Sequence, residues 1–369
     1  MVNNMHLKFK KIDKPLLITT IFLTIFGVLM VYSASNVVAQ YKYDNKAYYF
    51  NRQLIFACIG FIVMILIIHL DLNKIYKLTT IIFLLILLTL ILVLIPGIGV
   101  LRGGARSWIG IGSFSFQPAE FMKLGIILLI SKYLSKYQNE LKKFRNFMGI
   151  LFLVILIFGL IMLQPDFGTG LVLLLTIVIL LFCTEAPLKY FLLLLGIGIL
   201  GIIGLIISAP YRMLRILAYL DPWSDPLGSG FQAIQSLFAI APSGIFGLGY
   251  NKSIQKHFFL PEPQNDFIFA IVCEELGLIG ALLLLGSFLF IIIRIIKISN
   301  KVSKPYYKYL SLSIGISLFV QVFINVGVVI GLLPVTGITL PIISYGGSSL
   351  VLSLSMIAIV LNISQFQEE

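Results

Sequence analysis

The chain has 369 residues, 59% of them hydrophobic and only 11% charged, with a mean hydropathy of +1.04. That balance excludes a soluble domain. Many apolar runs reach or approach the ~20 residues a helix needs to cross a bilayer, so the class is an all-α polytopic membrane protein. The net charge of +12 is better accounted for by Lys and Arg in cytoplasmic loops facing anionic headgroups than by nucleic acid, which is not expected as a partner.

The N-terminus has a basic start, an apolar stretch from Pro15 to Tyr32, then Ser33-Ala34-Ser35. The apolar part is longer than the roughly 7–15 residues of a signal-peptide core. A retained first helix behind a cytoplasmic tail, residues 1–14, is therefore expected. Ten helices follow, near 15–36, 53–70, 77–96, 119–134, 147–164, 168–185, 188–208, 267–297, 306–333 and 340–363; the fourth and sixth are short. With the N-terminus inside, seventeen Lys and Arg fall in inner segments and nine in outer ones. This bias sets both termini in the cytoplasm. The acids sort the other way: Asp44, Asp166, Asp221, Asp225, Glu262 and Asp266 fall outside or at the outer edge, with Glu120 near it. Any chemistry is thus expected on the outer face. The cytoplasmic loops carry no P-loop and no G-x-G-x-x-G, and are too short for a nucleotide-binding domain, which argues against ATP-driven transport. Cys58, Cys183 and Cys273 lie far apart. They form no metal spacing or disulfide framework and read as small buried hydrophobes.

The loop at 97–118, G-I-G-V-L-R-G-G-A-R-S-W-I-G-I-G-S-F-S-F-Q-P, has two readings. Arg102 and Arg106 can meet a phosphate, or the loop is a bulky interfacial stretch anchored by Trp108. Helix four opens Q-P-A-E-F-M-K, so Glu120 and Lys123 share a face and can pair. Ionisable residues inside a membrane helix are a functional hypothesis by default, with a structural salt bridge as the alternative. Asp166, in L-Q-P-D-F-G-T-G, sits in a turn where such a residue often satisfies only local amides. Gly196, Gly198, Gly201 and Gly204 on helix seven suit close helix packing.

Between helices seven and eight lies a large extracellular loop, 209–266. It holds Y-R-M-L-R-I-L-A-Y-L and F-Q-A-I-Q-S-L-F-A-I-A, both too short to span and expected as interfacial or re-entrant helices. Arg212 and Arg215 share a face of the first. The Pro/Gly-rich D-P-W-S-D-P-L-G-S-G between them implies a cavity open to the outer leaflet, since irregular backbone at this depth needs protein or water around it. Helix ten is preceded by a break, P-I-I-S-Y-G-G-S-S, carrying Ser344, Gly346 and Gly347. Such breaks occur in transporters, but no inverted repeat is evident. The most informative stretch is H-F-F-L-P-E-P-Q-N-D-F-I-F-A, where Asp266 stands against an apolar run with Glu274 and Glu275 two turns in. As a desolvated carboxylate Asp266 suits a general base; as an Asp before a helix it also suits an N-cap.

R-S-W-I-G-I-G with Q-P-A-E-F-M-K, Q-P-D-F-G-T-G, D-P-W-S-D-P-L-G-S-G-F-Q, L-P-E-P-Q-N-D-F-I-F-A and P-I-I-S-Y-G-G-S-S together resemble, in order and over nearly the whole chain, the SEDS family (shape, elongation, division and sporulation). A-P-Y-R-M-L-R-I, Q-K-H-F-F-L-P-E-P-Q and T-G-I-T-L-P are more similar to the FtsW and SpoVE branches of Gram-positive bacteria than to RodA. The resemblance implies a peptidoglycan glycosyltransferase that polymerises lipid II beside a class B penicillin-binding protein and other division or sporulation proteins. It implies the essential aspartate at Asp266, the helix-four pair at Glu120 and Lys123, and a further aspartate at Asp166. Asn265 stands where the family usually has Thr. On this reading the acceptor hydroxyl attacks C1 of the donor sugar with inversion, Asp266 takes its proton, and Lys123, Arg102, Arg106, Arg212 and Arg215 are candidates to meet the leaving pyrophosphate. Ser344 joins them as a candidate substrate contact. No cofactor is evident; a divalent cation (Mg or Mn) can share the pyrophosphate, with Asp166 or Glu120 nearby. A lipid II flippase and a non-catalytic scaffold for a penicillin-binding protein are the alternatives. Division, sporulation and elongation roles are not separated by the residues alone.

Overall fold

A computed structural model of the chain describes residues 12–102, 105–111, 114–207, 213 and 219–367. Ten long helices run through it: α1 (Lys14–Tyr43), α2 (Tyr48–His69), α3 (Leu72–Leu92), α4 (Pro118–Tyr137), α5 (Phe144–Met162), α6 (Phe167–Phe182), α7 (Leu188–Ile207), α9 (Ile268–Asn300), α10 (Pro305–Val329) and α11 (Gly347–Ile363). A short helix, α8 (Phe231–Ile240), lies between α7 and α9. Among the described residues, seven of the ten (α1, α2, α3, α5, α9, α10 and α11) are long and apolar enough to cross a membrane. α4 is long enough but carries Glu120, Lys123, Lys132 and Lys136, and α6 is apolar but only 16 residues long.

Helix starts follow local chemistry. Asp13 caps α1 by accepting from the Leu16 N–H at 3.0 Å, with Pro15 in the first turn where its missing N–H costs nothing. Asp13 is also ion-paired to Arg294 near the end of α9, and its N–H donates to Ser364 Oγ at 3.0 Å. α1 runs seven residues past the expected end at 36, because no breaker precedes Asp44. There the chain turns into the left-handed region with φ 50° and donates its N–H to the Gln40 carbonyl. α11 starts later than expected, at Gly347. The stretch after Leu340 stays irregular because α2 satisfies it: Gln53, fully buried, donates to the Ser344 carbonyl at 3.0 Å and accepts from the Gly346 N–H at 3.3 Å.

The innermost helices are α10 and α11, each 78% buried over its most apolar stretch, against 17% for α3. One apolar core joins α1, α2, α9, α10 and α11; a second joins α3 to α6. Because the long helices alternate in direction, the starts of α2, α4, α6, α9 and α11 gather at one end of the bundle.

Three features depart from the sequence expectation. The 97–118 stretch is a small antiparallel sheet, β1 (Gly99–Arg102), β2 (Ala105–Ile111) and β3 (Phe114–Phe116), in order β1-β2-β3. Ile109 pairs with both Gly99 and Phe116. The glycines of α7 meet no neighbour among the described residues: no described atom lies within 4 Å of where a Cβ on Gly196, Gly198, Gly201 or Gly204 would sit. Cys58 and Cys183 are exposed, and only Cys273 is buried. Of the two short loop segments, the second is α8, packed on α9 and α10 with Ser236 Oγ donating to the Val329 carbonyl at 2.7 Å. The first lies largely outside the described residues.

α9 is broken at Gly277, where φ is 65° and ψ −162°, a conformation essentially confined to glycine. The segment 244–249 enters the break: Leu248 and Gly249 N–H donate to the Glu274 and Glu275 carbonyls, and the Leu278 and Ile279 N–H groups donate to Gly244 and Ile245. The freed helix groups are thereby paired inside the protein, as membrane depth demands. A Cβ on Gly277 would lie 2.4 Å from Gly247 N and from Ile245 O. Gly277→Ala is expected to cost roughly 2–4 kcal/mol from overpacking and the left-handed backbone together. An unchanged unfolding midpoint in detergent would count against this account of the break.

Candidate active site

A cavity of about 540 Å³ opens where the helix starts gather. Its walls come from six places in the sequence: Arg52 on α2; Trp108 and Ser115 on the sheet; Gln117, Glu120 and Lys123 at the start of α4; Asp166 and Thr169 at α6; Glu262, Asn265 and Asp266 before α9; and Gly337 to Thr339 with Tyr345 to Gly347 and Ser349 before and in α11. Strand alternation accounts for the sheet's part. Gly110 pairs with Ser115, so Trp108, two residues from Gly110, shares the Ser115 face.

Asp266 is not a helix cap. The cap position of α9 is Phe267, which offers no side-chain bond, and Asp266 lines the cavity. Burial pushes its carboxyl up to about 6, and the Glu262 carboxylate adds to the rise. Its main chain is held from α10, where Asn325 Nδ2 donates to the Asp266 carbonyl at 2.7 Å. Asp166 does cap: it accepts from the Thr169 N–H at 3.1 Å and from Gln117 Nε2 at 2.6 Å, and still lines the cavity. Burial raises its carboxyl above the ordinary range against the Thr169 bonds.

Glu120 and Lys123 form the pair their spacing implied, 3.0 Å apart, with only 6% and 2% of each residue exposed. Lys123 Nζ also donates to Gln321 Oε1 at 2.9 Å, while Glu120 Oε2 is buried without a hydrogen-bond partner among the described residues. One corner of the cavity thus holds a cation with two acceptors and one carboxylate oxygen left unpaired.

The remaining sequence candidates separate. Ser344 is 4% exposed and its hydroxyl accepts from the Leu340 N–H at 2.8 Å, so it holds the irregular stretch instead of lining the cavity. Arg106 does not line the cavity; its Cγ lies beside Gly99 of β1. The Arg102 side chain and the whole of Arg212 and Arg215 lie outside the described residues. Arg52, which sequence reasoning counted only as a loop charge, is in the cavity wall. It donates to the Tyr48 hydroxyl at 2.6 Å. An arginine near the start of an otherwise apolar helix was the signal available for it. Gln321 and Asn325 were missed because amides inside an apolar run give no indication of which face they occupy.

No three His, Cys, Asp or Glu side chains among the described residues converge closely enough to hold a metal ion. Among the described residues the four cavity carboxylates therefore do not form an all-protein cage of the kind that binds a divalent cation.

Behind the site, Glu274 and Glu275 are 1% and 0% exposed and bind the loop that fills the α9 break. Glu275 accepts from Ser33 Oγ on α1 at 2.6 Å, from Asn251 and Ser253 N–H, and pairs with Lys256 at 3.4 Å. Glu274 accepts from Ser253 Oγ and from the Ile254 N–H at 2.8 Å. Burial lowers the Lys256 ammonium, opposed by Glu275. These two acids are structural: they fasten loop and α1 to the half-helix that begins beside Asp266.

The profile of the FtsW/RodA/SpoVE family, described as "Cell cycle protein", matches residues 14–369. The chain belongs to this family. It is 48% identical over 355 residues to stage V sporulation protein E of Bacillus subtilis (strain 168), covering 96% of this chain and 97% of that protein. It is 40% identical over 356 residues to the FtsW of Coxiella burnetii, named a probable peptidoglycan glycosyltransferase, covering 95% and 96%. Among solved structures, a chain of a peptidoglycan synthase complex that coordinates polymerization and crosslinking matches with a TM-score of 0.81 at 29% identity, over 97% of this chain and 99% of that one. The rod shape determining protein RodA of Thermus thermophilus matches with a TM-score of 0.71 at 25% identity, over 97% and 98%. The chain is a multi-pass helical membrane protein of this fold.

Proposed function

We infer that this chain is a peptidoglycan glycosyltransferase that polymerises lipid II, with Asp266 as its general base. The observation that carries the reading is a carboxyl poised at about 6 in a cavity it shares with Lys123 and Arg52. The acceptor sugar hydroxyl attacks C1 of the donor, forming the new C–O bond as the bond from C1 to the lipid pyrophosphate breaks. Asp266 takes the hydroxyl proton, and the leaving pyrophosphate carries away the bonding electrons toward Lys123 and Arg52. The chemistry needs no soluble domain, because the lipid tails stay in the bilayer while the sugars enter the cavity.

The seventeen-to-nine bias of Lys and Arg supports a cavity that faces outside the cytoplasmic membrane, with both termini in the cytoplasm. The relative in a complex that joins polymerization to crosslinking supports a class B penicillin-binding protein as partner. Relatives named for sporulation and for FtsW support work in division or sporulation.

The test is polymerisation of lipid II by the purified chain with its partner, in moenomycin, which silences unrelated soluble-domain transferases. Glycan strands are expected. The base must be ionised to act, so turnover should rise as pH rises through about 6 and fall away on the acid side. A folded, partnered chain that makes no polymer but moves lipid II between leaflets would be a flippase. One that does neither would be a scaffold.

A further inference from the structure

We propose that Gln321 and Asn325, two amides one turn apart on α10, are positioning residues that set where Asp266 stands relative to the Lys123–Glu120 pair. This rests on the transferase reading of the cavity.

Asp266 lies in irregular chain ahead of α9, and irregular backbone fixes a side chain poorly unless its own polar groups are held. Asn325 holds it. Both hydrogens of its Nδ2 are used, one on the Asp266 carbonyl and one on the Ile338 carbonyl, each at 2.7 Å. The residue is 1% exposed, and its Oδ1 is buried without a partner among the described residues. The amide therefore faces this way on account of its two donors alone. Turned over, it would set an oxygen against two carbonyls.

Gln321 repeats the arrangement on the same face, since residues four apart on a helix are neighbours. Its Oε1 accepts from Lys123 Nζ at 2.9 Å and its Nε2 donates to the Thr339 carbonyl at 3.0 Å. Ile338 and Thr339 are consecutive and both line the cavity. The base and the cation are thus each tied by one amide to the same buried helix, and both amides close on the same two-residue stretch. Buried amides in a membrane helix are costly unless paired, and three of the four amide polar atoms here are. Here they span the two halves of the reaction, the proton acceptor and the charge that meets the leaving group. Displacements of about 1 Å at such a site cost on the order of a hundredfold in rate.

The test uses the full chain with its penicillin-binding partner in liposomes, with lipid II as substrate. Asn325→Ala removes both bonds. Asn325→Asp keeps the shape and, while protonated, restores at most one. Turnover per folded molecule is expected to fall about 10–100-fold in Asn325→Ala, with KM for lipid II within about threefold and an intermediate loss in Asn325→Asp. The midpoint of the acid limb, set by Asp266, should also move by about half a unit or more, which a role confined to folding would not cause. Wild-type turnover per folded molecule in both variants, with an unmoved midpoint, overturns the proposal. So does a loss confined to the amount of folded protein. Should Asn325→Ala not fold, Asn325→Asp alone decides by the same readouts. Asp266→Asn is run beside them: if it polymerises at the wild-type rate, the base assignment fails and this proposal with it. An inert change at Asn325 beside an inactive Asp266→Asn removes the positioning role alone.

Discussion

Asp266→Asn is expected to lose about 10²–10⁴-fold in lipid II polymerisation while remaining folded. The substitution keeps the size of the side chain and the main-chain carbonyl that Asn325 holds. It removes the one function an amide cannot perform, acceptance of a proton from the sugar hydroxyl. No cap is lost, because Phe267 occupies the cap position. A carboxyl whose burial already disfavours its charge gives up little stability on becoming neutral, so the unfolding midpoint should hold or rise slightly. The measurement is the rate of strand growth in moenomycin, with thermal unfolding of the same preparation. Equal polymer from both proteins would remove Asp266 from the reaction.

Lys123→Met should fail in two ways at once. The side chain is almost wholly buried, between Glu120 at 3.0 Å and Gln321 at 2.9 Å. Removing it leaves a buried carboxylate without its cation, a change that typically costs about 3–5 kcal/mol. It also removes one of the positive charges in the cavity wall, so turnover should collapse beyond what instability explains. The pair of effects can be separated. Adding Glu120→Gln to Lys123→Met neutralises the stranded charge and should recover most of the stability while turnover stays lost. Denaturant unfolding and polymerisation of the single and double variants check this. Recovery of turnover along with stability would make the pair a structural salt bridge and nothing more.

The class of the molecule, its ten long helices and the starts of most of them were legible in the amino-acid sequence, because lipid imposes a local rule. About twenty apolar residues make a span, and Asp, Pro and Gly at fixed offsets open and close it. Asp13-Lys14-Pro15 and Gln117-Pro118 announce helix starts without reference to anything distant. The motifs around Glu120, Asp166 and Asp266 were legible too, through the resemblance they carry, and the Glu120–Lys123 contact through the three-residue spacing that any helix converts into a shared face. Tertiary structure alone decided the rest. The break at Gly277 follows from a loop thirty residues upstream that satisfies the opened backbone, which no window along α9 reveals. The 97–118 stretch pairs as strands because its neighbouring segments supply each other's backbone partners. Arg52 lines the cavity, Gln321 and Asn325 bind residues of its wall, and Ser344 stands outside it, because of which helices stand side by side. Hydropathy measures whether a segment enters the bilayer; the face on which a lone polar residue falls, and what meets it there, is a property of the packed bundle.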